Sequence, residues 1–145
     1  MAQLIRLAQE AARGGEVPIA AAVVAADGTV LATAHNLVEA RGDATAHAEL
    51  LALQAAMAQR GSKYLADCSL WVTLEPCAMC AQAASLSKIR KIIFGAYDPK
   101  GGGVEHGARV FSHPTCHHVP EIIGGVMEVE CGQLLSDFFK ARRSV

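Results

Sequence analysis

The chain has 145 residues, near the commonest size for one domain, and its 52% hydrophobic content suffices for one sizeable core but not two. Thirteen basic against fourteen acidic residues leave a net charge of −1, which excludes a globally basic nucleic-acid coat and leaves room only for a local basic patch. A charged fraction of 19% with a mean hydropathy of +0.26 excludes disorder.

Residues 2 to 13 place Leu4, Ile5, Leu7, Ala8, Ala11 and Ala12 at helical spacing, and Gly14-Gly15 ends them. Arg6, Gln9, Glu10 and Arg13 interrupt this stretch, so it reads as neither a signal segment nor a membrane span. Pro18 to Ala26 is an apolar run that predicts a buried strand; Asp27-Gly28 predicts a hairpin turn, and Thr29 to Ala34 its partner strand. His35 to Ala44 reads as a polar loop, and residues 45 to 60 as an alanine- and leucine-rich helix closed by Gly61. Ser69 to Thr73 predicts a short buried strand, Pro76 the start of a helix reaching about Leu86, and Lys91 to Phe94 another strand. Gly95 to Pro120 is rich in glycine, histidine and proline, and a loop of that length usually carries function. Ile122-Ile123 is a short apolar stretch. The last helix is expected from Met127 to Arg143, with Cys131, Leu134, Leu135, Phe138 and Phe139 on a buried stripe. Alternating helices and strands, with no repeat or linker, predict one domain over residues 1–145: an α/β fold with a single mixed sheet and helices on both faces, a three-layer α/β/α sandwich.

Five cysteines, Cys68, Cys77, Cys80, Cys116 and Cys131, are an odd set for a disulfide framework. They fit a reducing, cytoplasmic setting in which thiols stay free or bind metal, with no membrane partner expected. Cys77 and Cys80 lie three apart at a predicted helix start, so both thiols project from one face, where the helix N-terminus favours thiolates. With His47 they make a Cys₂His set, which leaves the fourth tetrahedral position of a catalytic zinc for water. Glu49, two residues after His47, points about 200° away from it in a helix interior. The two converge only at the helix N-terminal end, and a cap at Asp43 or Thr45 would place them in the first turn. There the glutamate can accept a proton from the water without binding the metal. A lone Cys-x-x-Cys also suits small core residues, and His-Ala-Glu triplets arise by accident in alanine-rich helices. Together, His47-Ala48-Glu49 and Pro76-Cys77-Ala78-Met79-Cys80 match the His-x-Glu…Pro-Cys-x-x-Cys signature of zinc-dependent nucleobase deaminases.

The chain thus resembles the cytidine deaminase-like superfamily, and more closely the bacterial tRNA-specific adenosine deaminases. The resemblance runs through Glu16-Val17-Pro18-Ile19, His35-Asn36, residues 45–49, residues 72–80, Phe94-Gly95-Ala96-Tyr97-Asp98-Pro99-Lys100, His113-Pro114 and residues 134–143. It implies one zinc per subunit on His47, Cys77 and Cys80, and Glu49 as the proton shuttle. It also implies that Asn36 and the backbone at Ala48 hold the target base against an apolar wall containing Val17. Asp98 and Lys100 would contact flanking anticodon nucleotides, and Lys140, Arg142 and Arg143 backbone phosphates. The implied activity is hydrolytic deamination of adenosine to inosine at the first anticodon (wobble) position of tRNA. The implied partners are a tRNA anticodon stem-loop and a second copy of the chain in a homodimer. A free-base or nucleotide deaminase, such as a guanine or cytosine deaminase, would use the same zinc site, and a non-catalytic zinc-stabilised RNA-binding module is a third reading.

Two departures stand out. Ala20 replaces the family's usual glycine, and either narrows the base pocket or substitutes neutrally in a strand. Gly101-Gly102-Gly103-Val104-Glu105-His106 replaces a Thr-Gly-Ala-x-Gly-Ser type of loop, which bears on RNA contacts and not on the zinc chemistry. On the residues alone, Asn36 fits an Asx turn equally well, and the basic C-terminus equally well complements a helix dipole. His106, His113, His117 and His118 are read as loop and RNA-facing residues, His35 as structural, and Lys88, Arg90 and Lys91 as a solvated edge. Cys68, Cys116 and Cys131 are read as small packing residues.

Overall fold

The computed structural model describes residues 1–143. Five strands, β1 (Ala20–Val24), β2 (Val30–His35), β3 (Ser69–Leu74), β4 (Lys91–Ala96) and β5 (Glu121–Ile123), form one sheet in the order β2-β1-β3-β4-β5. The hairpin partners β1 and β2 are antiparallel, as are β1 and β3, whereas β3-β4 and β4-β5 are parallel, so the sheet is mixed. The hairpin turn is as expected from Asp27-Gly28: Asp27 Oδ1 accepts the Thr29 N–H at 2.9 Å, and Gly28 takes a left-handed φ of 89°.

Alternation along the strands decides what covers each face. Ala21, Val23, Leu70, Val72, Ile92 and Phe94 point to one side. There they bury Ala48, Ala52, Leu53 and Ala56 of α3 (Ala48–Arg60) with Ala81 and Ala84 of α4 (Ala78–Leu86). Ala20 and Ala22 point to the other side and pack on Leu4 and Ala8 of α1 (Ala2–Arg13), with Trp71 and Leu134 at the margin. The last helix, α5 (Glu128–Arg143), lies on that second face beside α1. Small side chains let the layers approach closely. A Cβ at Gly95 in β4 would collide with Cys131 Sγ of α5 and lie 2.7 Å from the Thr73 carbonyl oxygen. The three-layer arrangement expected from the sequence is the one observed.

Three local expectations need correction. The stretch read as a polar loop contains a short helix, α2 (Val38–Arg41), closed by Gly42 in the left-handed region. The helix expected from residue 45 begins at Ala48, because Asp43 Oδ1 binds the Thr45 N–H and hydroxyl and holds residues 43–45 in a turn. On α5 only Cys131 is buried, and Phe139 is 44% exposed. The helix rests on the sheet by its N-terminal half, and Phe138 and Phe139 stack edge-to-face on each other instead. Within the long loop, Val110–Ser112 forms one turn of 3₁₀ helix.

Candidate metal centre and base pocket

Two helix N-termini meet at the carboxyl end of β3. His47 is the N-cap of α3, with extended backbone (φ −76°, ψ 146°), and Cys77 is the N-cap of α4 (φ −70°, ψ 173°). Neither His47 nor Cys77 makes a side-chain cap hydrogen bond, so both are turned to other work. His47 Nδ1 lies 3.5 Å from Cys77 Sγ and 3.7 Å from Cys80 Sγ. All three donor atoms fall within 4.8 Å of one another. A tetrahedral ion with bonds of about 2.0–2.3 Å separates its ligands by roughly 3.5 Å, so this donor set has the size and softness for zinc. The Cys77 thiol is pulled down to about 4, first by its hydrogen bond with Cys80 and then, against burial, by His47. Cys80 is pushed up by the same pairing and by burial. One thiolate beside a protonated neighbour is the state from which a cation displaces protons.

The position of His47 outside the helix resolves the angular problem of a His-x-Glu pair. His47 leaves from an extended residue while Glu49 leaves from the first turn, so both side chains serve the space at the helix end. Glu49 is 4% exposed. Burial raises its carboxyl to about 7, with the nearby Cys77 charge adding to the rise.

Beside His47 opens a groove of about 320 Å³ lined by Val17, Ile19, Asn36, Val38 and Ala44 together with Glu16 and Glu39. Asn36 makes the Asx contact that its sequence context allows: Oδ1 accepts the Val38 N–H at 3.3 Å. That leaves its amide Nδ2 to donate, so the Asx-turn and ligand readings coexist. Ala48 opens α3, where first-turn N–H groups have no partner within the helix. The groove wall is fixed by a residue that the sequence reading quoted in the family motif but gave no role. Glu16, buried, accepts the Glu39 N–H at 2.9 Å and the Ala40 N–H at 2.7 Å, anchoring the first turn of α2 to the loop that carries Val17. A larger groove of about 410 Å³ under α1, lined by Leu4, Leu7, Val24 and Trp71, lies across the sheet and contains none of the triad.

Residues 1–96 match the cytidine and deoxycytidylate deaminase zinc-binding region. The chain is 46% identical over 136 residues to a tRNA-specific adenosine deaminase of Agrobacterium fabrum (strain C58), covering 94% of this chain and 89% of that protein. The chain belongs to the tRNA-specific adenosine deaminase family. A Bacillus subtilis (strain 168) enzyme of the same name is 43% identical, over 99% of this chain and 88% of its own. A solved structure from work on A-to-I editing by tRNA:A34 deaminases at the wobble position superposes with a TM-score of 0.88 at 45% identity. It covers 91% of this chain and 95% of that one.

The family's glycine-to-alanine departure at residue 20 falls outside the groove. Ala20 faces α1 and donates its N–H to Thr73 Oγ1 at 3.2 Å. Asp98 is half-buried and Lys100 exposed on the loop after β4. Asp98 Oδ1 accepts the Lys100 and Gly101 N–H groups, so this carboxylate shapes the loop tip. Arg142 donates to the Gly15 carbonyl at 2.6 Å and stacks on Phe138, which fastens α5 to the loop before Val17. Three histidines read as loop and RNA-facing residues make ties within the chain: His106 Nδ1 bonds Glu75 at 2.8 Å, and His118 Nε2 meets the Ile89 carbonyl at 2.6 Å. His113 likewise meets the Ala108 carbonyl at 2.7 Å. Cys68 and Cys131 are buried as expected, while half-buried Cys116 lies against Ser85 and the His118 carbonyl.

Proposed function

We propose that the protein carries out zinc-dependent hydrolytic deamination of adenosine to inosine at the first anticodon position of a tRNA. The observation that supports this most is the junction itself. His47, Cys77 and Cys80 stand at tetrahedral spacing, with buried Glu49 at the same helix end and a base-sized groove in front. His47, Cys77 and Cys80 hold one zinc per chain, and zinc when bound supplies the Lewis acidity that makes water nucleophilic near neutral pH.

The remaining work falls to the chain. Glu49, poised near 7, takes a proton from the water as its oxygen bonds carbon six, delivers that proton to purine nitrogen one, and then carries the proton of the new carbon-six hydroxyl to the departing amine. The carbon–nitrogen bond at carbon six breaks, ammonia leaves, and inosine remains. The Asn36 amide and the Ala48 N–H hold the base edge, and Val17 with Ile19 packs its apolar face. Asp98 and Lys100 meet flanking nucleotides, and Arg142 combines its tie to Gly15 with a phosphate contact through its remaining donors. An anticodon-loop base is unpaired, so extruding it costs less than in a duplex.

Exposed Tyr64 and Leu86, with Met57, flank a groove between α3 and α4, which supports a homodimer through this face. Light scattering is expected to give twice the 15.2 kDa of one chain. No helix among the described residues is long and apolar enough to cross a membrane. Five free thiols support the reading of a reducing, cytoplasmic setting.

The test incubates zinc-loaded protein with an unmodified anticodon stem-loop bearing adenosine at its first anticodon position, with free guanine, cytosine, cytidine and adenosine in parallel. Inosine in the RNA alone, by nucleoside mass spectrometry, is expected. Turnover of a free base without inosine would move the protein to salvage chemistry.

A further inference from the structure

Glu75 joins β3 to Pro76-Cys77, and its side chain has no exposed surface. Five donors from a segment 23 to 31 residues later converge on it. Oε1 accepts the Asp98 N–H at 3.0 Å and His106 Nδ1 at 2.8 Å. Oε2 accepts the N–H groups of Val104, Glu105 and His106 at 3.2, 2.9 and 3.1 Å. The backbone repeats the tie on both sides: the Glu75 N–H bonds the Ala96 carbonyl, and the Gly103 N–H bonds the Pro76 carbonyl, each at 2.8 Å.

This convergence accounts for the glycine run that departs from the family pattern. A Cβ at Gly102 would lie 2.5 Å from Glu75 Oε2, and one at Gly103 would lie 2.5 Å from the Ala78 nitrogen in the first turn of α4. The loop from Asp98 to His106 is therefore wrapped on a carboxylate two residues from Cys77, and its outer edge displays Lys100.

We propose that Glu75, with His106, is a positioning unit that sets the substrate-contacting loop at Asp98–Lys100 in register with the metal-ligating turn at Cys77–Cys80. The proposal rests on the RNA deaminase reading above. It separates two roles: Glu75 touches neither base nor metal, and its carboxylate fixes where the flanking nucleotides are met.

The test uses zinc-loaded full-length protein and the E75Q variant. Glutamine keeps the shape but has one oxygen. Placed at Oε2, that oxygen retains the three N–H groups of residues 104–106, while the amide NH₂ opposes the Asp98 N–H. Zinc content is expected to stay at one per chain, and hydrogen exchange is expected to quicken at Asp98 more than at residues 104–106. KM for the stem-loop is expected to rise about tenfold, as for one hydrogen bond's worth of lost loop order, with kcat within about twofold. H106A, which removes only the side-chain donor, is expected to raise KM about threefold and covers the case in which E75Q does not fold. An unchanged KM in both variants, or a fall in kcat at constant KM, would overturn the proposal. A parent protein that leaves the stem-loop unmodified would instead overturn the RNA reading, and this proposal with it.

Discussion

Glu49 and Glu75 are both buried, and each lies two residues from a member of the same triad, yet their surroundings drive them in opposite directions. Glu49 sits at the end of α3, where burial outweighs the support it receives, and its carboxyl rises to about 7. For Glu75 burial also pushes upward, but the hydrogen bonds from Asp98, His106, Glu105 and Val104 outweigh it, and the group stays below the usual carboxylate range. The contrast teaches that depth alone does not make a proton carrier. A buried carboxylate given five donors becomes a fixed anionic hub, and one left under-supported becomes a group that can both take and give a proton near neutrality.

The sharpest way to break this comparison is to remove the transferable proton. E49Q is expected to lower kcat on the order of 10³-fold while retaining one zinc per chain by metal analysis. A near-normal rate would remove Glu49 from its role. Stability is expected to separate the two carboxylates in the reverse sense. E75A leaves buried N–H groups without a partner and is expected to cost about 3 kcal/mol, seen as a fall in Tm of roughly 6–12 °C. E49A is expected to melt within about 2 °C of the parent or above it, because a buried carboxyl with little support is lost. A smaller effect is expected at Gly103, where the loop rests on α4. G103A should cost about 2 kcal/mol through overpacking, read from the urea midpoint. The least effect belongs to Ala20 on the far face of the sheet. A20G is expected to cost about 0.5–1 kcal/mol in stability and to leave KM for the RNA unchanged, since Ala20 faces α1.

The chain's local code explains what was readable in advance. Helical spacing in residues 2–13, the Asp27-Gly28 turn and the short apolar strand runs each depend on near neighbours, and each element is observed close to its expected bounds. His47, Cys77 and Cys80 were readable because metal chemistry restricts residue type and spacing together. What escaped depends on contacts distant in sequence. The helix α2 is anchored by Glu16, 23 and 24 residues before the amides it binds. The start of α3 shifted because Asp43 caps a turn at Thr45 instead of a helix. Glu75 stood in the quoted motif without a role; the nearest clue to one was the run of three glycines that closes over it, which read only as a departure from the family loop. The tie between Arg142 and Gly15 escaped in the same way, since the two partners lie 127 residues apart.

Site-specific adenosine deamination in RNA is best checked on a whole tRNA transcript with adenosine at the first anticodon position. After incubation with zinc-loaded protein, reverse transcription reads each inosine as guanosine. An A-to-G change is expected at that position and at no other adenosine of the transcript. An unchanged transcript, or changes scattered over many adenosines, would contradict it.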